Sequence, residues 1–267
     1  MSISYKEWSK EYREILQVFS GKKVYILYSG GKDSSLCLDM MLEASSEFGF
    51  LIEAHGGAFP LHRYLEEEKS RLAIYWKDRG IHVQWHDVDS MDSDLESAQN
   101  PCLVCQKVRK KLMHHLLLSW EHDWSQVVLV ASYTLWDLVG YAVEHLLSNL
   151  FSSPTPPDKG LQRFIETGQR FYPLLHMKEG YMVFRPLLQY NTPEIVEYLQ
   201  DRSIPILSVP CKYKDFRPKR ILENYYNKLG LLFEYNLVMD FARKSLGLPE
   251  PLRYTSTDKD EYLKKLF

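Results

Sequence analysis

The sequence predicts an α/β protein: a mostly parallel sheet flanked by helices, with small helical additions toward the C-terminus. Three observations predict it. Short runs of branched and aromatic residues alternate with segments of helical periodicity roughly 10 to 20 residues long, the pattern of βαβ units. The first of these runs passes straight into a glycine pair and then into helical spacing, in "VYILYSGGKDSSLCLDMML", Val24 to Leu42. The chain of 267 residues, 45% hydrophobic and 13% aromatic, is long and apolar enough to bury one full core.

The elements follow in order. Tyr5, Trp8, Tyr12, Ile15, Leu16 and Phe19 are spaced as one face of an amphipathic helix reaching Ser20. A strand is expected at Lys23 to Tyr28, and a helix from Ser34 carrying Leu36, Leu38, Met41 and Leu42. "FGFLIEAHGG" reads as a second strand ending in a glycine pair, Glu66 to Asp78 as a helix, and "IHVQWHDVD" as a third strand. "QVVLVAS" is a buried strand by its branching and length, and it feeds the helix "LWDLVGYAVEHLLSNLF". "SSPTPPD" is a loop, because three prolines within four residues forbid helix or central strand. Two short extended pieces are expected around Glu179 and Gly180, then a helix with Thr192 as N-cap and Pro193 at its first position. The segments divide as residues 1–20, a helix on the core; 21–150, the core itself; and 151–267, the part that completes the fold.

Charge and apolar patterning exclude several classes. The 33 Lys+Arg and 35 Asp+Glu give a formal net charge of -2, so the protein does not coat nucleic acid non-specifically, and a polyanion must be met by a local basic patch. No apolar run has the roughly 20 residues of a membrane span, and the polar start "MSISYKEWSKEYREIL" is unlike a signal peptide. A soluble, cytoplasmic protein with no membrane partner is the expectation. Four cysteines are too few for a disulfide scaffold, which turns attention to metal or redox chemistry.

A strand that delivers Gly30 and Gly31 to a helix N-terminus is a phosphate site in physical terms. Glycine lets backbone N–H groups approach oxygen closely, and the first helical turn adds partial positive charge. The turn is too short for a Walker A loop and lacks the dinucleotide G-x-G-x-x-G spacing. "SGGKDSS", Ser29 to Ser35, resembles the pyrophosphatase (PP) loop of the adenine nucleotide alpha hydrolase superfamily, whose pattern is Ser-Gly-Gly-x-Asp-Ser. The resemblance implies a Rossmann-like PP-loop fold of the HUP type and cleavage of ATP between its α- and β-phosphates to adenylate a carbonyl oxygen. It places Ser29, Gly30, Gly31, Asp33 and Ser34 around the pyrophosphate, puts Lys32 at the variable position, and gives Asp33 a share in holding Mg²⁺.

"ASYTLWDLVGYAVEHLL" is similar to the Gly-His-x-x-Asp-Asp stretch of relatives that thiolate tRNA. Ser132, Tyr133 and Trp136 depart from that pattern, and only Asp137 transfers. The alternative for Asp137 is a helix cap. His55, read as ending the second strand, falls where relatives contact the adenosine, or is a plain loop residue.

Cys102 and Cys105 form a C-x-x-C read as a turn before a helix, and Cys211 follows Pro210. Cys37 falls inside the phosphate-loop helix and reads as a small hydrophobe. Four-ligand zinc wants a second pair, which is absent, and three thiols with an open position suit an iron–sulfur cluster better. A reduced structural pair, a dithiol switch, or zinc with His114 or His115 are the alternatives. The arrangement looks like the iron–sulfur tRNA 2-thiocytidine and 2-thiouridine synthetases, over roughly residues 22 to 222 by element order, including "FRPLL". It departs from them in lacking terminal zinc fingers and a second C-x-x-C at Cys211.

Basic residues follow both cysteine sites: Lys107, Arg109, Lys110 and Lys111, then Lys212, Lys214, Arg217, Lys219 and Arg220. Each run is either a solvated face or a guide for a phosphate-bearing substrate. By resemblance Arg109 or Lys110 acts in catalysis, together with Asp137. The function implied is an ATP-dependent sulfurtransferase, using Mg²⁺ and a 4Fe-4S cluster on Cys102, Cys105 and Cys211, with tRNA as partner. The alternatives are sulfur transfer to or from a small molecule, and an ATP-binding module with structural zinc. The sulfur donor is open, as is a homodimer.

Overall fold

Short β-branched runs supply the sheet, and the chain order of the helices between them sets its topology. The structure is a computed structural model that describes residues 3–120, 123–151, 168–216, 218–246, 248 and 259–263. The proline-rich segment expected as a loop lies outside the described residues, as does Arg217.

The amphipathic N-terminal segment forms two helices rather than one, α1 (Tyr5–Glu11) and α2 (Arg13–Val18), which break at Tyr12. Its apolar face still packs as one: Trp8, Tyr12, Leu16 and Phe19 join the main core, and Trp8 Nε1 donates to the Pro186 carbonyl at 2.9 Å. Strand β1 (Lys23–Leu27) leads into helix α3 (Lys32–Phe48), which begins at Lys32 rather than Ser34 because Gly31, in extended conformation, is its N-cap. Then come β2 (Leu51–Gly57), α4 (Glu66–Asp78), β3 (Val83–His86), α5 (Ser93–Glu96) and α6 (Pro101–Trp120). The C-x-x-C is therefore not a turn before a helix. Cys102 and Cys105 lie one turn apart inside the start of α6, where an i, i+3 pair shares a face.

Strand β4 (Val127–Val130) is followed by α7 (Leu135–Phe151), then by β5 (Leu174–His176) and β6 (Met182–Phe184). Helix α8 (Thr192–Asp201) is capped by Asn191, not Thr192, through a reciprocal box with Glu194. The closing helices are α9 (Pro218–Lys228), α10 (Tyr235–Leu246) and α11 (Lys259–Leu263).

The six strands run in the order β3-β2-β1-β4-β6-β5, all parallel except β5, which is antiparallel to β6. The order reverses between β1 and β4, so a crevice opens beyond their carboxyl ends, where open α/β sheets bind ligands. Alternation divides the two faces. Val24, Ile26 and Tyr28 bury among the residues of α1 to α3, whereas Tyr25, Val127 and Leu129 bury with Leu117 of α6. At the close approach of β2 to β1, a Cβ on Gly56 would collide with the Tyr28 carbonyl and the Trp85 ring.

Helix α3 is locked in place through its one fully buried carboxylate. Arg79 Nη2 stands 2.6 Å from Asp39 Oδ1, while Tyr198 donates to Oδ2 at 2.7 Å and Arg202 at 3.3 Å. These groups reach α3 from the end of α4 and from α8, so one side chain ties three elements together. Removing the anion would take the acceptor from Tyr198, Arg79 and Arg202 and leave a void where Asp39 is buried. Asp39→Ala is expected to destabilise the fold by about 3 kcal/mol, measured by urea denaturation, because breaking a buried pair strands its partners.

Candidate functional site

Strand β1 ends at a buried tyrosine that stiffens the loop after it. Tyr28 OH accepts from Trp76 Nε1 at 2.8 Å and lies 3.4 Å from Ser35 Oγ, linking strand end, α4 and the start of α3. The loop itself is closed by its own serines. Ser29 N donates to Ser34 Oγ at 3.2 Å, Ser34 Oγ donates to the Gly31 carbonyl at 3.0 Å, and the two hydroxyls are 3.1 Å apart. Gly30 has φ +66°, and a Cβ there would meet Leu207 Cγ at 2.9 Å and Leu72 Cδ1 at 3.0 Å. Leu207 N donates to the Gly30 carbonyl at 2.8 Å, and Tyr64 OH donates to the Ser29 carbonyl at 3.0 Å. Packing and hydrogen bonds thus hold the loop from both sides, with the first turn of α3 directly behind it. Lys32 Nζ lies 2.6 Å from Asp33 Oδ1 and 3.9 Å from Glu223 Oε1, so the acidic residue of the motif is paired at the helix start.

Asp137 lies across the crevice from this loop, in the first turn of α7, one strand away. Its Oδ2 accepts from Thr134 N at 2.8 Å and from Thr134 Oγ1 at 3.1 Å, the N3 half of a capping box. The cap is what the structure records. Both Asp33 and Asp137 occupy first turns of helices that follow neighbouring parallel strands, the placement in which carboxylates could share a cation at the sheet's reversal point.

His55 is two residues short of the end of β2, not its last residue, and is 3% exposed. Its Nδ1 is 3.0 Å from His86 Nε2 and its Nε2 is 3.2 Å from Glu53 Oε2. Burial lowers the affinity of His55 for a proton below the usual range, opposed by Glu53 and assisted by His86. His86 is lowered by burial too, opposed by Asp87.

Cys102 and Cys105 both reach Tyr213, on the turn that carries Cys211. Cys102 Sγ donates to the Tyr213 carbonyl at 3.1 Å, and Cys105 packs in a cluster that includes Phe59, Leu95 and Tyr213, two residues beyond Cys211. The donor set, three thiols on two touching elements, fits an iron–sulfur centre in type. It is not assembled as one: among the described residues no three His, Cys, Asp or Glu side chains stand together as a metal-holding group. His114 and His115 join no such group either. Cys37 is fully buried inside α3, and burial pushes its thiol well up, which is the behaviour of a core residue.

The basic residues that follow the cysteines differ in exposure. Lys107, Lys111, Lys212 and Lys214 are exposed, while Arg109 and Lys110 are half-buried. Burial lowers the Lys110 ammonium below the usual range, with Arg170 nearby adding to the effect. Arg170 lies 4.1 Å over the Tyr141 ring on α7. Arg185, the arginine of "FRPLL", is almost wholly buried and donates to the carbonyls of Gln169 and Tyr172 and to Tyr262 OH. His62 and Asp92 belong to no motif, yet Asp92 Oδ2 is 2.7 Å from His62 Nδ1, and Lys212 N donates to His62 Nε2 at 3.2 Å.

Sheet order and flanking helices together define a Rossmann-like α/β architecture, a six-stranded, mostly parallel sheet whose first strand runs into the glycine loop. The chain is similar in structure to the U34-tRNA thiolase NcsA from Methanococcus maripaludis, solved with its 4Fe-4S cluster, with TM-score 0.62 and 17% identity over 98% of this chain and 87% of that one. NMN synthetase from Francisella tularensis matches with TM-score 0.44 and 12% identity over 99% and 93% of the two chains. No family model matches the sequence, and no curated protein matches it. No described helix is long and apolar enough to cross a membrane.

Two expectations follow from this geometry. Gly30→Ala should cost about 2 kcal/mol of unfolding free energy, because it adds a left-handed penalty to a steric clash. Gly31→Ala should cost distinctly less, since its φ is ordinary and its nearest neighbour is Ser29 Oγ at 3.4 Å. Denaturant titration of the pair checks the order. The imidazoles supply a pH test: unfolded histidines take up protons near pH 6.5 that His55 and His86 resist when folded, so stability falls as pH drops below about 6.5. Unfolding free energies measured at about pH 7.5 and about 5.5 should differ less in His86→Asn than in the parent protein.

Proposed function

We propose that the chain is an ATP-dependent sulfurtransferase that adenylates a carbonyl oxygen of a tRNA base and replaces that oxygen with sulfur. The observation that carries the reading is the glycine loop at the sheet's reversal point, in one fold with a C-x-x-C helix that touches the turn carrying Cys211 through Tyr213. The likeness to a tRNA thiolase supports it.

In this reading the N–H groups of Gly30, Gly31 and the first turn of α3 receive the β- and γ-phosphates, where the helix dipole favours negative charge. Asp33 and Asp137 would hold Mg²⁺, which offsets charge on the α- and β-phosphates. Asp33 would then exchange its pairing with Lys32 for the metal, leaving the ammonium to face phosphate oxygen. The substrate oxygen attacks the α-phosphorus, an O–P bond forms, the bond to the β-phosphate oxygen breaks, and pyrophosphate leaves into the loop. Sulfide then adds to the activated carbon and AMP departs with the former carbonyl oxygen. Arg109 and Lys110, half-buried on α6, would neutralise the charge leaving with AMP. Cys102, Cys105 and Cys211 would hold an iron–sulfur cluster, whose chemistry when bound is to present sulfide.

The RNA partner is supported by the exposed lysines. Lys107, Lys111, Lys212 and Lys214 all lie on the two cysteine-bearing elements of a chain whose net charge is only -2. A positive patch there would steer phosphate backbone toward the thiols, and weaken steeply with salt.

The test is anaerobic incubation of iron- and sulfide-loaded protein with ATP, Mg²⁺, sulfide and unmodified tRNA, followed by nucleoside mass analysis. A thionucleoside that requires ATP, and is lost in Cys211→Ala and in Asp33→Asn, is expected. Sulfur appearing in a small-molecule acceptor while tRNA stays unmodified would overturn the substrate assignment. Zinc bound without sulfide would overturn the cluster.

A further inference from the structure

A histidine and an aspartate that no motif contains are built onto the thiol site. Asp92 receives three hydrogen bonds from one short 3-10 turn, Leu61–Arg63: from Leu61 N at 2.8 Å, from His62 N at 2.9 Å and from the His62 ring at 2.7 Å. Burial raises the Asp92 carboxyl, but these bonds outweigh it and hold it below the usual range, so it stays an anion and an acceptor. His62 Nδ1 must therefore carry the proton. A backbone N–H can only donate, so the bond from Lys212 N requires Nε2 to be the bare nitrogen. One tautomer of the ring meets both contacts, so its two nitrogens are both engaged.

What the ring holds is the turn that carries Cys211. Lys212 is the next residue in the chain, Lys214 N returns to the Cys211 carbonyl at 3.3 Å, and the Tyr213 ring stands edge-on to His62 at 5.8 Å. The carbonyl of Tyr213 in turn receives the Cys102 thiol. A continuous path thus runs from Asp92 through His62 and the Cys211 turn to the C-x-x-C on α6. We propose that His62, oriented by Asp92, is a positioning residue of the thiol site, which fixes the Cys211 turn against the start of α6. That role rests on the three cysteines acting together, as in the proposed function.

A carboxylate behind an imidazole is the usual way to fix which ring nitrogen faces a site. Here the fixed nitrogen faces a peptide N–H and not a reacting atom, so its effect on chemistry passes through the placement of Cys211. Without it, the turn would lose the anchor nearest the thiol and open locally.

The test is the rate at which iodoacetamide alkylates each cysteine in the metal-free protein, read by peptide mass spectrometry. Neither ATP nor metal is involved, so the outcome is independent of whether the protein transfers sulfur. Cys37, fully buried in α3, reports on the integrity of the fold. His62→Ala should raise Cys211 labelling by about tenfold, as expected for a local opening that loses one hydrogen bond, with Cys37 still unreactive. Asp92→Asn should raise it in the same direction, and His62→Gln, whose amide oxygen can accept from Lys212 N, should return it toward the parent rate. Cys211 labelling at the parent rate in both His62→Ala and Asp92→Asn would overturn the proposal. Should His62→Ala expose Cys37 as well, Asp92→Asn, which changes a single atom of the dyad, decides by the same criterion.

Discussion

The contact on which the site depends is that of Leu207 with Gly30. The glycine takes a left-handed conformation, its carbonyl accepts from Leu207 N, and the leucine side chain occupies the space that any Cβ would need. In the proposed role the loop must present N–H groups inward to phosphate, and it can do so only if its outer surface is held by something else. Leu207, Leu72 and the Tyr64 hydroxyl do that holding. The same contact begins the segment that leads to Cys211. Ser208 N and its hydroxyl donate to Glu68, the Val209 carbonyl receives Arg63 Nε at 3.0 Å, and Lys212 N reaches His62. The strand of chain between the glycine loop and the third cysteine is thus fastened almost residue by residue to α4 and to the loop before it.

That fastening gives the proposed chemistry its geometry. An adenylated carbon is useful only if sulfur can reach it before water does, so the nucleotide loop and the thiols must keep a fixed relation. A flexible tether would lose that relation. In this fold α3 is clamped from below by Asp39 with Arg79, Tyr198 and Arg202, and α6 meets the Cys211 turn through Tyr213. Acidic side chains in the crevice, Asp33 and Asp137, are engaged by Lys32 and by the Thr134 cap, so a cation arriving with ATP would compete with contacts already made.

The parts visible in the sequence are those encoded locally. Helices at Glu66–Asp78 and Leu135–Phe151 coincide with their apolar periodicity, and the strand-loop-helix reading of the glycine motif stands. Local signals misplaced element ends where a cap decides them: Gly31 starts α3 two residues early, Asn191 displaces Thr192, and Tyr12 divides the first helix. The C-x-x-C reads as a turn in sequence because Asn100 and Pro101 precede it, whereas Pro101 is the first residue of α6. Contacts between distant segments left no trace in spacing. His62 and Asp92 are separated by 30 residues and His62 and Lys212 by 150, and each looks like an ordinary loop residue until the chain is folded. Tyr213 is one of two aromatics in a basic run, yet it is where α6 meets the Cys211 turn.

The central claim is that ATP is cut at its α-phosphorus in response to an RNA substrate. The most direct measurement follows ATP labelled in the α-phosphate during anaerobic turnover with Mg²⁺, with and without unmodified tRNA. Labelled AMP, formed together with pyrophosphate and dependent on the RNA, is the predicted result. Labelled ADP with free phosphate would contradict the account, since no adenylated oxygen could then precede the entry of sulfur.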